Sequence, residues 1–329
     1  MRKLLFIFAG SVMLATACNK TATHEENNNN VVSEEETGFA TQRKCASQDV
    51  LEEQMKNDPE LRKRMNDLEE FTRKAAADPT RYRLVNGVIE IPVVVNVLYR
   101  TTAQNISQAQ IQSQIDVLNE DFAATNADFS KVPSTFLGVR AGLINIRFVL
   151  DQVIRKSTTK TSWTTNDAMK RTSGGGLAPT SPATKLNLWV CNLSGGILGY
   201  AQFPGGSSST DGVVIDDNAF GRTGTAAAPF NKGRTATHEV GHWMNLRHIW
   251  GDANCGNDQV GDTPVHNTSN FGCPASGHKS TCSGQPIEMT MNYMDYTDDA
   301  CMYMFSAGQE TRMLAVFAAG GPRNSFAQP

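Results

Sequence analysis

HEVGHWMNLRHIWGD, residues 238–252, holds three of the chain's six histidines. His238 and His242 stand four apart, so on a helix they share one face, about one turn from each other. Two imidazoles at that spacing can hold one zinc ion, and Glu239 stands beside them, placed to take a proton from water on the metal. That much arises by chance on amphipathic helices. His248, six residues past His242, narrows the reading, because the helix must stop and the chain turn back for a third imidazole to reach the same ion. Three protein ligands leave one position open, as in a catalytic zinc site, whereas a structural site fills all four with protein. Such a stop needs a residue at positive φ, usually glycine. Here it is Asn245, and asparagine is the non-glycine residue that tolerates this region best, so the turn is expected to persist at a cost of about 1–2 kcal/mol.

Across all 329 residues, 30 basic and 33 acidic side chains give a net charge of -3, with no Lys/Arg block to grip nucleic acid. Residues 1–17 read as an export signal: Arg2 and Lys3, then an apolar run from Leu4 to Ala15 too short to span a bilayer comfortably, then small residues. Cys18 directly follows, where bacterial lipoproteins carry their lipidated cysteine, so the protein is expected at the cell envelope or secreted, meeting a membrane only through a lipid on Cys18. A polar tether follows. Leu51 to Ala77 is highly charged and helix-forming, broken at Asp58-Pro59, and its thin apolar content suits helices lying across another domain. From Ile89 the character changes. Ile89–Arg100 reads as a buried strand, and Ser107 with Gln110 as a capping box before Ile111, Ile115, Leu118 and Phe122 at helical spacing. Ile144–Leu150, Leu186–Val190 and Gly212–Asp216 read as further strands of one α+β domain.

H-E-x-x-H-x-x-G-x-x-H is the metzincin zinc signature, met here at every position except the glycine. With the H-E-V-G-H-W core and a second string, MTMNYMDY at 289–296, the chain resembles the pappalysin/cytophagalysin family of metzincin metalloendopeptidases over roughly Ile89 to Met313. The resemblance implies a mixed, twisted sheet with two long helices in an upper subdomain, the zinc helix at the cleft, and a loop-rich, disulfide-stapled lower subdomain. It implies His238, His242 and His248 as zinc ligands, Glu239 as general base and acid, Met294 as the floor beneath the metal and Tyr296 as hydrogen-bond donor to the oxyanion. An extended protein or peptide substrate would pair with an edge strand near Leu198–Gly206. Four cysteines between Cys255 and Cys301 allow three connectivities, and the family pattern would give Cys255–Cys282 and Cys273–Cys301. Relatives bind calcium near GDANCGNDQVGDTP, which makes Asp252, Asp258 and Asp262 candidate Ca²⁺ ligands. Cys45, in TQRKCASQ, resembles the cysteine switch of metzincin zymogens, in which a propeptide thiolate takes the open zinc position; a Cys45–Cys191 disulfide is the alternative.

The implied organisation is an anchor tether and switch segment over 18–50, a helical propeptide over 51–83 and a catalytic domain over 84–329, with maturation near Arg81 to Leu84. The expected function is a secreted zinc endopeptidase that cuts internal peptide bonds with a zinc-activated water and is made as a latent zymogen. Relatives often prefer a basic residue after the scissile bond, and no acidic residue is singled out here to receive it. The competing readings are a catalytically silent surface lipoprotein using this fold to bind protein, which loss of Glu239 or a ligand histidine would have marked, and a zinc exopeptidase.

Overall fold

The computed structural model describes residues 39–77 and 87–327. The expected export signal, Cys18 and the expected maturation stretch Arg81–Leu84 lie outside the described residues.

The run IEIPVVVNVLY folds as β1 (Ile89–Tyr99), and its two-sided burial follows from a central place in the sheet. It lies between β2 (Ile146–Ser157) and β3 (Leu186–Cys191), parallel to both. Parallel strands covered on both faces read as continuous apolar runs, and β3 is buried along its whole length. Pro92 is tolerated because β1 meets β3 only from Val93 onward. Next comes β5 (Val213–Asp216), parallel to β3, and then β4 (Gly199–Ala201), antiparallel at the edge, giving the order β2-β1-β3-β5-β4. β4 is thus the only antiparallel strand of this sheet, and it borders the histidine helix.

α3 (Gln108–Phe122) packs on β2 and on the histidine helix, α4 (Arg234–Trp243). The capping box expected at its start forms only in half. Ser107 accepts the Gln110 N–H, but the Gln110 side chain turns inward and donates to the Phe220 carbonyl and the Thr225 hydroxyl. A complete box opens α5 (Ala307–Ala315) instead, between Ser306 and Gln309. Phe122 packs edge-on against Phe148 and Phe305, joining helix, sheet and lower region in one core. The lower region is loop-rich and closed by disulfides Cys255–Cys282 and Cys273–Cys301, each contributing about 3 kcal/mol by loop closure.

The charged N-terminal segment forms α1 (Ser47–Asn57), four residues ahead of the expected start, and α2 (Pro59–Ala77). Proline suits the first helical position because its missing N–H has no intrahelical partner there. Leu61, Met65, Leu68, Thr72 and Ala75 are buried on α2, spaced four, three, four and three, and the helix lies along α5.

Candidate active site

α4 starts after Gly233 at φ +74° and carries His238, Glu239 and His242, all buried. Its end is built by Asn245, also at φ +74°. The Leu246 N–H reaches the Gly241 carbonyl at 2.9 Å and the Asn245 N–H the His242 carbonyl at 2.9 Å, the paired bonds of a Schellman stop. The chain then turns and delivers His248. The Nε2 atom of His242 lies 3.2 Å from that of His238 and 3.1 Å from that of His248. Nitrogens about 2.0–2.1 Å from one tetrahedral zinc would stand about 3.3 Å apart, so the three imidazoles fit that ion.

Each ring is oriented through its other nitrogen. His238 Nδ1 donates to the Tyr293 carbonyl at 2.6 Å and His242 Nδ1 to the Leu246 carbonyl at 2.7 Å, which leaves Nε2 free to ligate. His248 Nδ1 meets the Asp252 carboxylate. Burial and the neighbouring imidazoles push the pKa values of His238 and His242 well down, favouring the neutral, ligating form. Trp250 stacks flat on His248, with ring centres 4.3 Å apart, and meets Tyr296 edge-on. Met294 lies under the helix, where a Cβ on Gly241 would stand 2.6 Å from its sulfur. That close approach accounts for glycine inside the H-E-V-G-H string.

Cys45 completes the cluster: its sulfur and one nitrogen of each histidine all lie within 4.8 Å of one another. The enclosed position and the Glu239 carboxylate push the thiol's pKa up, so a thiolate there requires a cation of the kind the three imidazoles can hold. Cys191 is a buried free thiol, and the alternative Cys45–Cys191 disulfide is not formed. Glu239 lies alongside, with its Oε2 accepting from the Ser47 hydroxyl at 2.8 Å and the Cys45 thiol at 3.2 Å; burial raises its pKa to about 7. The Tyr296 hydroxyl donates to the Cys45 carbonyl at 3.0 Å and accepts the Cys45 N–H at 3.3 Å.

The segment around Cys45 lies along β4 as a short parallel bridge. The Ala46 N–H bonds the Gly199 carbonyl, and the Leu198 N–H the Lys44 carbonyl. Two residues before Cys45, Arg43 enters a closed pocket. One terminal nitrogen reaches Asp299 at 2.7 Å, the other the Thr235 hydroxyl at 3.0 Å, Nε the Thr297 carbonyl, and the guanidinium lies over the Phe230 ring. Both members of the Arg43–Asp299 pair are essentially inaccessible to solvent.

Residues 184–318 match the peptidase family described as pregnancy-associated plasma protein-A. An extracellular metalloprotease of Colletotrichum graminicola is 33% identical over 295 residues, 84% of this chain and 91% of its own. One from Verticillium alfalfae is 33% identical over 239 residues, covering 68% and 77%. Among solved structures, a mutant of promirolysin from Tannerella forsythia superposes with a TM-score of 0.79 at 41% identity, over 86% of this chain and 97% of that one. Mature mirolysin in complex with a cleaved peptide gives 0.70 at 46% identity, over 73% and 95%. The chain belongs to the pappalysin family. Like its relatives, this pappalysin is a zinc metalloendopeptidase with the metzincin fold.

One expectation finds no support. The three carboxylates proposed for calcium do not converge in this pappalysin: Asp252 orients His248, Asp258 accepts from the Thr263 hydroxyl, and Asp262 accepts from Ser306 and the Gly308 N–H at the start of α5. Hard cations gather oxygens, and these are committed to separate partners. Among the described residues the histidine–cysteine group is the one set of three or more His, Cys, Asp or Glu side chains close enough to share a metal ion. Sequence reading also missed Ser47, Arg43 and Asp299; the last two are 256 positions apart, and no local pattern joins them.

Asn245 bears a testable cost. Its backbone is strained and its buried Oδ1 has no partner. Asn245→Gly relieves the strain but loosens the unfolded chain, so the melting temperature is expected to stay within about 3 °C of the parent. Asn245→Val, β-branched at positive φ, should lower it by about 5 °C or more, read by scanning calorimetry.

Proposed function

We propose that the protein is a secreted endopeptidase made latent by its own N-terminal segment, and that it cuts internal peptide bonds before arginine or lysine. His238, His242 and His248 would hold the zinc. Zinc, when bound, supplies Lewis acidity that readies water near neutral pH and polarises the peptide carbonyl. Glu239 takes the proton of the attacking water on its carboxylate and passes it to the leaving amine. The Tyr296 hydroxyl, released from the Cys45 backbone, donates to the developing oxyanion. Asp252 and the backbone carbonyls hold the imidazoles in their ligating tautomer throughout.

The observation that carries this reading is the seating of residues 43–47. Cys45 stands where a fourth ligand would, Ser47 caps the base, and Arg43 fills the pocket that ends in Asp299. The pocket therefore takes a guanidinium. Direction explains why the segment is an inhibitor. It runs parallel to β4, from pocket to zinc. A substrate whose residue after the scissile bond fills the pocket must run from zinc to pocket, antiparallel to β4. An antiparallel strand added to a free sheet edge is an ordinary mode of peptide recognition. The extracellular relatives support secretion, and Cys18 remains the proposed lipid attachment point. Residues before about 84 would leave on maturation.

Latency gives the test. Full-length Cys45→Ala is expected to hydrolyse an internally quenched peptide containing a central arginine at least tenfold faster than the full-length parent, without loss of its N-terminal segment. Equal rates, with zinc bound to both, would remove Cys45 from the account.

A further inference from the structure

We propose that the surface beneath α2 is a second protein-binding site of the processed enzyme, remote from the peptide cleft, and that its first occupant is the excised α2 helix itself. The inference rests on the reading of the segment before β1 as removable. The helix docks by two devices at once. Its buried stripe of Leu61, Met65 and Leu68 packs with the core beside α5, while its outer face keeps Lys63–Asp67 and Glu70–Lys74 as exposed pairs. On the flank of the stripe, Glu69 meets two guanidiniums. Arg312 holds both of its oxygens, at 2.5 and 2.9 Å, and Arg247 holds one at 3.1 Å.

Arg312 is arranged for a carboxylate independently of the helix. Its Nε donates to the Asn245 carbonyl at 2.6 Å, which fixes the fork in place. When α2 leaves, this fork and Arg247 face solvent with an uncovered apolar floor beside them. A bidentate guanidinium site next to an apolar groove selects an amphipathic helix with a carboxylate on its apolar flank. A groove of about 520 Å³ opens beside the seam, between Glu69, Thr72 and Ala76 on one side and Val260, Gly308 and Arg312 on the other. None of these contacts involves Cys45, so the site is separable from the switch. It does reach the zinc turn, since Thr72 accepts from the Asn245 side chain and Arg312 holds the Asn245 carbonyl.

The test uses a fluorescent synthetic peptide of residues 59–77, added to the processed enzyme and read by anisotropy. A free helix of this length is marginal in water, so a second peptide carries a lactam between Lys63 and Asp67, on the exposed face. Saturable binding is expected, unchanged by a cleft-directed peptide. It should weaken at least tenfold with Glu69→Lys in the peptide or Arg247→Glu in the enzyme. Failure of the lactam-bridged helix to bind, binding indifferent to Glu69→Lys, or displacement by the cleft peptide would overturn the proposal. Anisotropy needs no hydrolysis, so an enzyme that proves inactive still answers this question.

Discussion

Glu239→Gln should lower kcat by about 10³-fold while zinc stays bound and the melting temperature holds. The carboxylate is 1% exposed and sits beside the imidazole cluster, with its Oε2 facing Cys45. Neither Asp252, committed to His248, nor Asp299, at the floor of the arginine pocket, is free to replace it. Glutamine keeps the volume of the side chain, so the loss is one of proton transfer and not of packing. Burial against Gly199 makes that distinction sharp. A Cβ at residue 199 would stand 2.9 Å from the Glu239 Cγ, so the strand leaves the side chain little freedom to take another position. Turnover of a peptide substrate beside zinc content by elemental analysis checks the expectation, and a drop caused by metal loss would point to a structural role instead.

Asp299→Asn should reduce kcat/KM for peptides cut before arginine by roughly 150- to 5000-fold, because a buried guanidinium deprived of its carboxylate loses about 3–5 kcal/mol. Peptides with a small neutral residue in that place should change little. The geometry explains why asparagine is not a neutral replacement. One Asp299 oxygen accepts the Lys232 and Arg234 N–H groups at the start of α4, and the other faces the guanidinium. An asparagine that keeps its oxygen for the two backbone donors must turn its NH₂ group towards the incoming cation. The same change should loosen the latent form, since Arg43 occupies the identical pocket. A two-peptide comparison, arginine against alanine after the scissile bond, measures the effect, and equal losses on both would mean that the substitution damaged the fold at α4.

Those two residues mark what the sequence could and could not convey. Four-residue spacing places His238 and His242 on one helix face whatever surrounds them, and β-branched runs announce β1 and β3 for the same local reason. Asn245 at φ +74° was legible because few residue types tolerate that turn. Three carboxylates in a glycine-rich loop look like oxygen ligands, and only tertiary structure sends one to His248 and another to Ser306. Gln110 has the right offset for a capping box, yet burial against the Phe220 and Thr225 loop outcompetes it, while Ser306 and Gln309 meet the requirement unopposed. The Arg43–Asp299 contact joins two ends of the chain through the cleft, and no sequence period reports such a meeting.

The central claim is that this chain is a latent zinc endopeptidase whose Asp299 pocket selects a cation after the scissile bond. Mass-spectrometric profiling of a peptide library digested by the activated enzyme, beside Glu239→Gln and a chelated sample, tests it most directly. The account predicts internal cuts, new N-termini dominated by arginine and lysine, and loss of both in the two controls. Zinc-loaded, folded enzyme that makes no internal cuts, or cuts with no preference for a cation at the new N-terminus, would contradict it.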